Sequence, residues 1–107
     1  MRLVKRYFAV LTSRPEGHWV GEVRESLTKL YGVTSAHEVT LKVMETREWG
    51  FIIRALMKDG GTAEKVVMAL SFTTDGGGWL RPLHASGTLK ALRTKLKDAG
   101  LFSSKSG

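Results

Sequence analysis

The hydrophobic patterning of this chain predicts an α+β fold: strand, helix, strand, strand, helix, strand, and then one more helix. Three observations carry that prediction. Runs of two-residue alternation are separated by runs that recur every three or four residues. Glycines stand at the joints between them. The first alternating run is apolar on both faces, which suits a strand in the middle of a sheet.

Lys5 to Ser13 alternates, with Tyr7, Ala9 and Leu11 on one face and Phe8 and Val10 on the other. Ser13-Arg14-Pro15-Glu16 reads as a helix start, a serine cap three residues before Glu with proline in the first turn. Val20, Val23, Leu27 and Leu30/Tyr31 give that helix its apolar stripe. Gly17 and Gly21 weaken its first half, and Gly32 ends it. Val39 to Glu45 is the second strand and Trp49 to Met57 the third, joined by a Thr46-Arg47-Glu48 hairpin loop. Gly60-Gly61-Thr62 precedes a short helix carrying Ala63, Val66, Val67 and Leu70. Gly76-Gly77-Gly78 is a flexible connection into a fourth strand, Trp79 to Ala85. Pro82 has no N–H to give a ladder, so that strand belongs at a sheet edge. Ser86 to Gly100 is a capped basic helix with Leu89, Leu92, Leu96 and Ala99 on one stripe. Residues 1–100 are expected to form one domain, and residues 101–107 a flexible tail.

This order is the split βαβ plan of ferredoxin-like and RRM-like sandwiches. The plan makes the first and last strands neighbours, which brings the two ends of the chain together. The charge distribution makes that meeting informative. Residues 1–14 hold four basic residues and no acid, residues 15–80 seven basic and nine acidic, and residues 81–107 six basic and one acidic. The formal charge of +7 therefore sits at the two ends. Folded together, they make one basic face for a polyanion.

Composition excludes several classes. With no cysteine, disulfides and thiolate metal sites are ruled out. His18, His37 and His84 lack the spacing of any metal motif and are read as structural or surface residues. No apolar run approaches the ~20 residues of a membrane span, and no signal-peptide pattern is present, so a cytoplasmic location is expected. Asn and Gln are absent, a tilt that points to a hot-environment source. An acylphosphatase-like enzyme would share the strand order, but its chemistry looks to need an Asn beside its phosphate loop.

Ser86-Gly87-Thr88 supplies a helix cap and a tight turn, and the same geometry turns backbone N–H groups and the positive helix end toward an anion. Lys90, Arg93 and Lys97 form a ridge beside the leucine stripe, with Lys95 on another side and only Asp98 as a nearby acid. Such a cluster binds polyanions through counterion release, and Lys5 and Arg6 should join it. Arg54 lies on the face of Ile52 and Leu56, either as a snorkelling arginine or as a phosphate contact. Trp49 and Phe51 are read as strand packing, not as the paired stacking aromatics of an RRM.

Four stretches resemble the small protein subunit of ribonuclease P, the protein component 2 family. They are Lys5-Arg6-Tyr7-Phe8-Ala9-Val10, Leu30-Tyr31-Gly32, Gly50-Phe51-Ile52-Ile53-Arg54 and Ala85-Ser86-Gly87-Thr88-Leu89-Lys90-Ala91-Leu92. The last is the most specific, because that family looks to have a Ser-Gly-Thr-Ile/Leu-Lys turn after its final strand. The likeness spans residues 1 to about 97, although Gly76-Gly77-Gly78 and Arg81-Pro82-Leu83-His84 depart from it. It implies an RRM-like accessory protein that binds ribonuclease P RNA during 5′ leader removal from precursor tRNA. It also implies a larger barrel-shaped protein partner, in a heterodimer that can pair again. Mg²⁺ would sit on the RNA, with no cofactor held by the protein and no protein active site. A general RNA-binding or ribosome-associated protein is the alternative.

Overall fold

The first strand, β1 (Val4–Thr12), organises the rest because both of its faces are covered. The computed structural model describes residues 3–58, 61–75 and 78–100. After β1 come α1 (Trp19–Tyr31), α2 (Val33–His37), β2 (Val39–Arg47), β3 (Gly50–Met57) and α3 (Thr62–Phe72). A two-residue β4 (Thr74–Asp75), β5 (Gly78–Ser86) and α4 (Leu89–Asp98) complete the order. The antiparallel sheet runs β2-β3-β1-β5-β4, so the structure is α+β with β1 and β3 at its centre. No helix among the described residues is long and apolar enough to cross a membrane.

Strand alternation divides the side chains into two clusters. Phe8, Val10, Phe51, Ile53, Ala55 and Met57 face α1, α2 and α3, where Trp19, Val23, Leu27, Val66 and Leu70 fill the main core. Tyr7, Ala9 and Ile52 face the other way, under Leu92 and Leu96 of α4. Each fully buried aliphatic or aromatic side chain contributes roughly 1.5–3 kcal/mol relative to exposure. The apolar pattern on both sides of β1 therefore sandwiches the sheet between two helical layers.

Several boundaries differ from the sequence expectation. The first helix begins at Trp19, not at Ser13-Pro15, and His18 precedes it without a side-chain cap. Residues 14–17 form a turn instead. The Arg14 carbonyl accepts from the Gly17 N–H at 3.0 Å and from the Trp19 indole N–H at 2.8 Å. Gly17 is needed there, because a Cβ would lie 2.8 Å from that indole nitrogen. Starting later rotates the buried stripe to Trp19, Val23 and Leu27, and leaves Leu30 and Tyr31 exposed. Gly32 takes φ 93°, ends α1 and opens the extra turn α2, which the periodicity did not predict.

The β2–β3 loop is Glu48-Trp49, with Arg47 paired to Gly50, in place of Thr46-Arg47-Glu48. A bulge at Met44 inserts the extra residue that lengthens β2. Gly50 is required by close approach, since a Cβ there would lie 1.8 Å from the Val10 carbonyl oxygen. The third helix starts at Thr62 and buries Val66, Ala69 and Leu70, with Ala63 and Val67 half-buried. Among the described residues β4 pairs with Gly78 and Trp79, and beyond it the outer side of β5 has no strand partner, with Pro82 in that stretch. A second irregularity, at Leu83, separates Val10↔Pro82 from Ala9↔His84. Gly60, Gly76-Gly77 and the tail at 101–107 lie outside the described residues.

Candidate nucleic-acid interface

The turn from β5 into α4 gathers most of the residues singled out above. Ser86 ends β5 opposite Tyr7, and the chain then turns through Gly87. Thr88 is the cap: its backbone is extended (φ −134°, ψ 152°), and its hydroxyl accepts from the Ala91 N–H at 3.1 Å. The Thr88 carbonyl accepts from the Leu92 N–H at 3.1 Å. The Leu89 and Lys90 N–H groups have no intrahelical acceptor and stand at the positive end of the helix.

Arg6 and Lys5 alternate on β1, so they leave the sheet on opposite faces. Lys5 is exposed on the α4 side. Arg6 lies on the other side, beside an apolar groove of about 420 Å³ lined also by Phe8, Val67, Met68 and Ala85. Its guanidinium still reaches the turn. Nη1 donates to the Lys5 carbonyl at 3.2 Å, and a Cβ built on Gly87 would lie 3.3 Å from that nitrogen.

Three contacts fix α4. Leu92 and Leu96 are wholly buried on Tyr7, Ala9 and Ile52, with Leu89, Met44 and Trp49 packed at the margin. Arg93 and Lys95 then leave opposite flanks of the helix, about 200° apart. Arg93 Nη2 donates to Glu45 Oε1, while Glu45 Oε2 accepts from Arg47 at 3.0 Å (Nη2) and 3.2 Å (Nε). Lys95 Nζ donates to the Ala85 carbonyl at 2.8 Å. Burial pushes the Glu45 carboxyl up, but the hydrogen bonds and charges of Arg93 and Arg47 outweigh it and hold it below its ordinary value.

This arrangement sorts the basic ridge. Arg93 and Lys95 are engaged in holding the helix, whereas Lys90 and Lys97 are exposed with no carboxylate partner among the described residues. Ser86, Gly87 and Thr88 lie together with Lys90 and Arg6 at the turn. Arg54 lies on the α4 face of β3, opposite Tyr7, and its Nε is buried without a hydrogen-bond partner. Phe51 is in the main core, and Trp49 sits half-buried at the edge of the α4 cluster. His18 precedes α1, His37 ends α2 and His84 lies in β5, so the three are on separate parts of the fold.

Glu45 is the residue that sequence reasoning missed. Strict alternation from Val39, Leu41 and Val43 puts it on the α1 side. The Met44 bulge turns it to the α4 side, opposite Ile52. Because α4 covers Tyr7 and Ile52, the centre of this sheet face is closed to base stacking of the RRM kind. What the surface offers is an array of cations and N–H donors, suited to phosphate.

Compared with known proteins, the sequence matches no protein-family model and no curated protein.

Proposed function

We propose that this chain is a non-catalytic RNA-binding subunit of ribonuclease P, which holds the catalytic RNA in its active fold for 5′ leader removal from precursor tRNA. The observation that carries the reading is the docked α4. The helix is fixed through Leu92, Leu96, Arg93 and Lys95, so Lys90, Lys97 and the N–H groups behind Thr88 are presented outward as a rigid unit. Rigid cations lose less entropy on binding than mobile ones. The strand order β2-β3-β1-β5, with α1 and α3 on one face, supports the ferredoxin-like, RRM-like class for the fold. The Ser86-Gly87-Thr88-Leu89-Lys90 turn supports the family resemblance.

In this reading the protein binds phosphates and releases counterions, and the hydrolytic chemistry belongs to RNA-bound Mg²⁺. The larger protein partner that the resemblance implies would meet the opposite layer. There Leu30 and Phe72 flank one groove, and Met68 is also exposed.

The test compares binding to ribonuclease P RNA with binding to an unrelated structured RNA of equal length across a salt series. Tighter binding to the former at every salt is expected, with Lys90→Ala/Lys97→Ala weaker on both. Equal affinities would favour the general RNA-binding alternative. Cleavage of precursor tRNA by the protein without RNA would overturn the accessory role.

A further inference from the structure

The register of the sheet aligns four side chains that the sequence scatters over 80 positions of numbering. Lys42 pairs with Arg54, Arg54 with Tyr7, and Tyr7 with Ser86. Directly paired residues share a face, and Tyr7 fixes that face as the α4 side. Lys42, Arg54, Tyr7 and Ser86 thus form one row across the four long strands. Three inter-strand gaps give it a length of about 14 Å.

Every member of the row is a hydrogen-bond donor, and none is an acid. Tyr7 itself is buried beneath α4, so the row is open at Lys42, Arg54 and Ser86. On the hairpin side lie Glu45, Ile52, Ala9 and His84, with Ile52 and Ala9 beneath α4 and Glu45 held by Arg93 and Arg47. On the outer side lie Thr40, Leu56 and Lys5, of which Thr40 and Lys5 are exposed and Leu56 is half-buried. Further out, Glu38 is occupied by Lys58 at 3.8 Å. The row therefore runs along the border of the area that α4 covers, and its Ser86 end leads into the N-terminus of α4. Lys42 and Arg54 have no carboxylate partner among the described residues, and the Arg54 Nε is buried with no acceptor at all. A buried donor without a partner costs stability. The Arg54 side chain as a whole is only half-buried, so its outer part is what a ligand can reach.

We propose that Lys42, Arg54 and Ser86 of this row, with the exposed Lys5 beside the buried Tyr7, form a track for the sugar–phosphate backbone of an RNA strand, leading to the N-terminus of α4. A line of donors matches a ligand whose acceptors repeat along its length. Lys42 joins the interface on this ground alone, since nothing in its local sequence marks it. The track rests on the RNA-binding reading above but not on the identity of the RNA.

The experiment measures the slope of log Kobs against log[salt] for ribonuclease P RNA and for an unrelated structured RNA. Variants are Lys42→Ala, Arg54→Gln, their combination, Arg54→Lys, and Lys29→Ala as a control on the far side of the molecule. Losing two phosphate contacts should lower the slope by about 1.5 on both RNAs. Arg54→Lys should retain most of the wild-type slope, and Lys29→Ala all of it. Lys42 is exposed on its strand, so Lys42→Ala tests the track even where Arg54→Gln lowers stability. An unchanged slope for a folded Lys42→Ala/Arg54→Gln protein would overturn the track. Equal affinity of the wild type for both RNAs would remove the ribonuclease P assignment, while a lowered slope would still support the track.

Discussion

Glu45→Gln is the substitution that most directly tests how α4 is held. The carboxylate is 16% exposed and receives Arg93 on one oxygen and Arg47 on the other, while both arginine side chains remain about half-exposed. Exposed pairs of this kind are worth about 0.2–1 kcal/mol each, and hydrogen bonds to a charged group somewhat more. Glutamine keeps one acceptor oxygen. The net loss at neutral pH is therefore about 1 kcal/mol, which in a domain of this size lowers the unfolding midpoint by about 4 °C.

The pH dependence supplies the sharper check. The folded-state pKa of Glu45 is held below the ordinary value of 4.5. Its stabilising contribution is therefore complete above that ordinary value and is lost as pH falls through the lower folded value. Urea unfolding of both proteins should show a gap that is constant from pH 7 down to about 5 and closes on further acidification. A gap that is absent at neutral pH, or one that persists unchanged in acid, would refute the clamp. RNA affinity gives an independent readout. Releasing Arg93 loosens α4, so on the proposed reading affinity for ribonuclease P RNA should fall despite the added unit of positive charge.

Further outcomes follow from the packing. Leu92→Ala and Leu96→Ala each remove a wholly buried side chain and should cost about 2–4 kcal/mol in urea unfolding. The double variant should expose Tyr7 and Ile52 to a hydrophobic dye. Gly50→Ala should prevent normal folding, because its Cβ would overlap the Val10 carbonyl. Gly21→Ala, which meets nothing within 4 Å, should stabilise α1 by about 0.5–1 kcal/mol in the same thermal melts.

Elements with a long regular pattern were legible in the sequence. β1 shows its two-sided burial as apolar residues at every position from Tyr7 to Val10, and α4 shows Leu92 and Leu96 at helical spacing beside a threonine cap. The elements that escaped depend on particular contacts that a periodic pattern does not encode. Ser13 and Pro15 carry a sound local helix signal, but the Arg14 carbonyl is taken by the Trp19 indole five residues on, and this side-chain hydrogen bond outcompetes the cap. Bulges have no simple pattern in one strand, because they are defined by the pairing partner. Met44 therefore hid both the end of β2 and the facing of Glu45. The candidate site was legible as a turn and a set of charges, but not as a division of labour among those charges.

That division bears on what kind of RNA contact the proposed role allows. An RRM reads sequence by stacking bases on an open sheet, whereas here α4 occupies the centre of that surface. On the proposed reading the cations left outward, Lys90 and Lys97, and the row ending at Ser86 would address phosphates, which carry no base identity. On the proposed reading, selectivity must therefore come from the shape in which an RNA presents its backbone to two rigid features at once. One is the helix end at Thr88. The other is the strand row that leads to it. A flexible single strand could satisfy either but would lose entropy to satisfy both, whereas a prefolded RNA with the matching curvature would not. The clamp at Glu45 then has a functional consequence as well as a structural one, since it fixes α4, and with it the angle between helix and row.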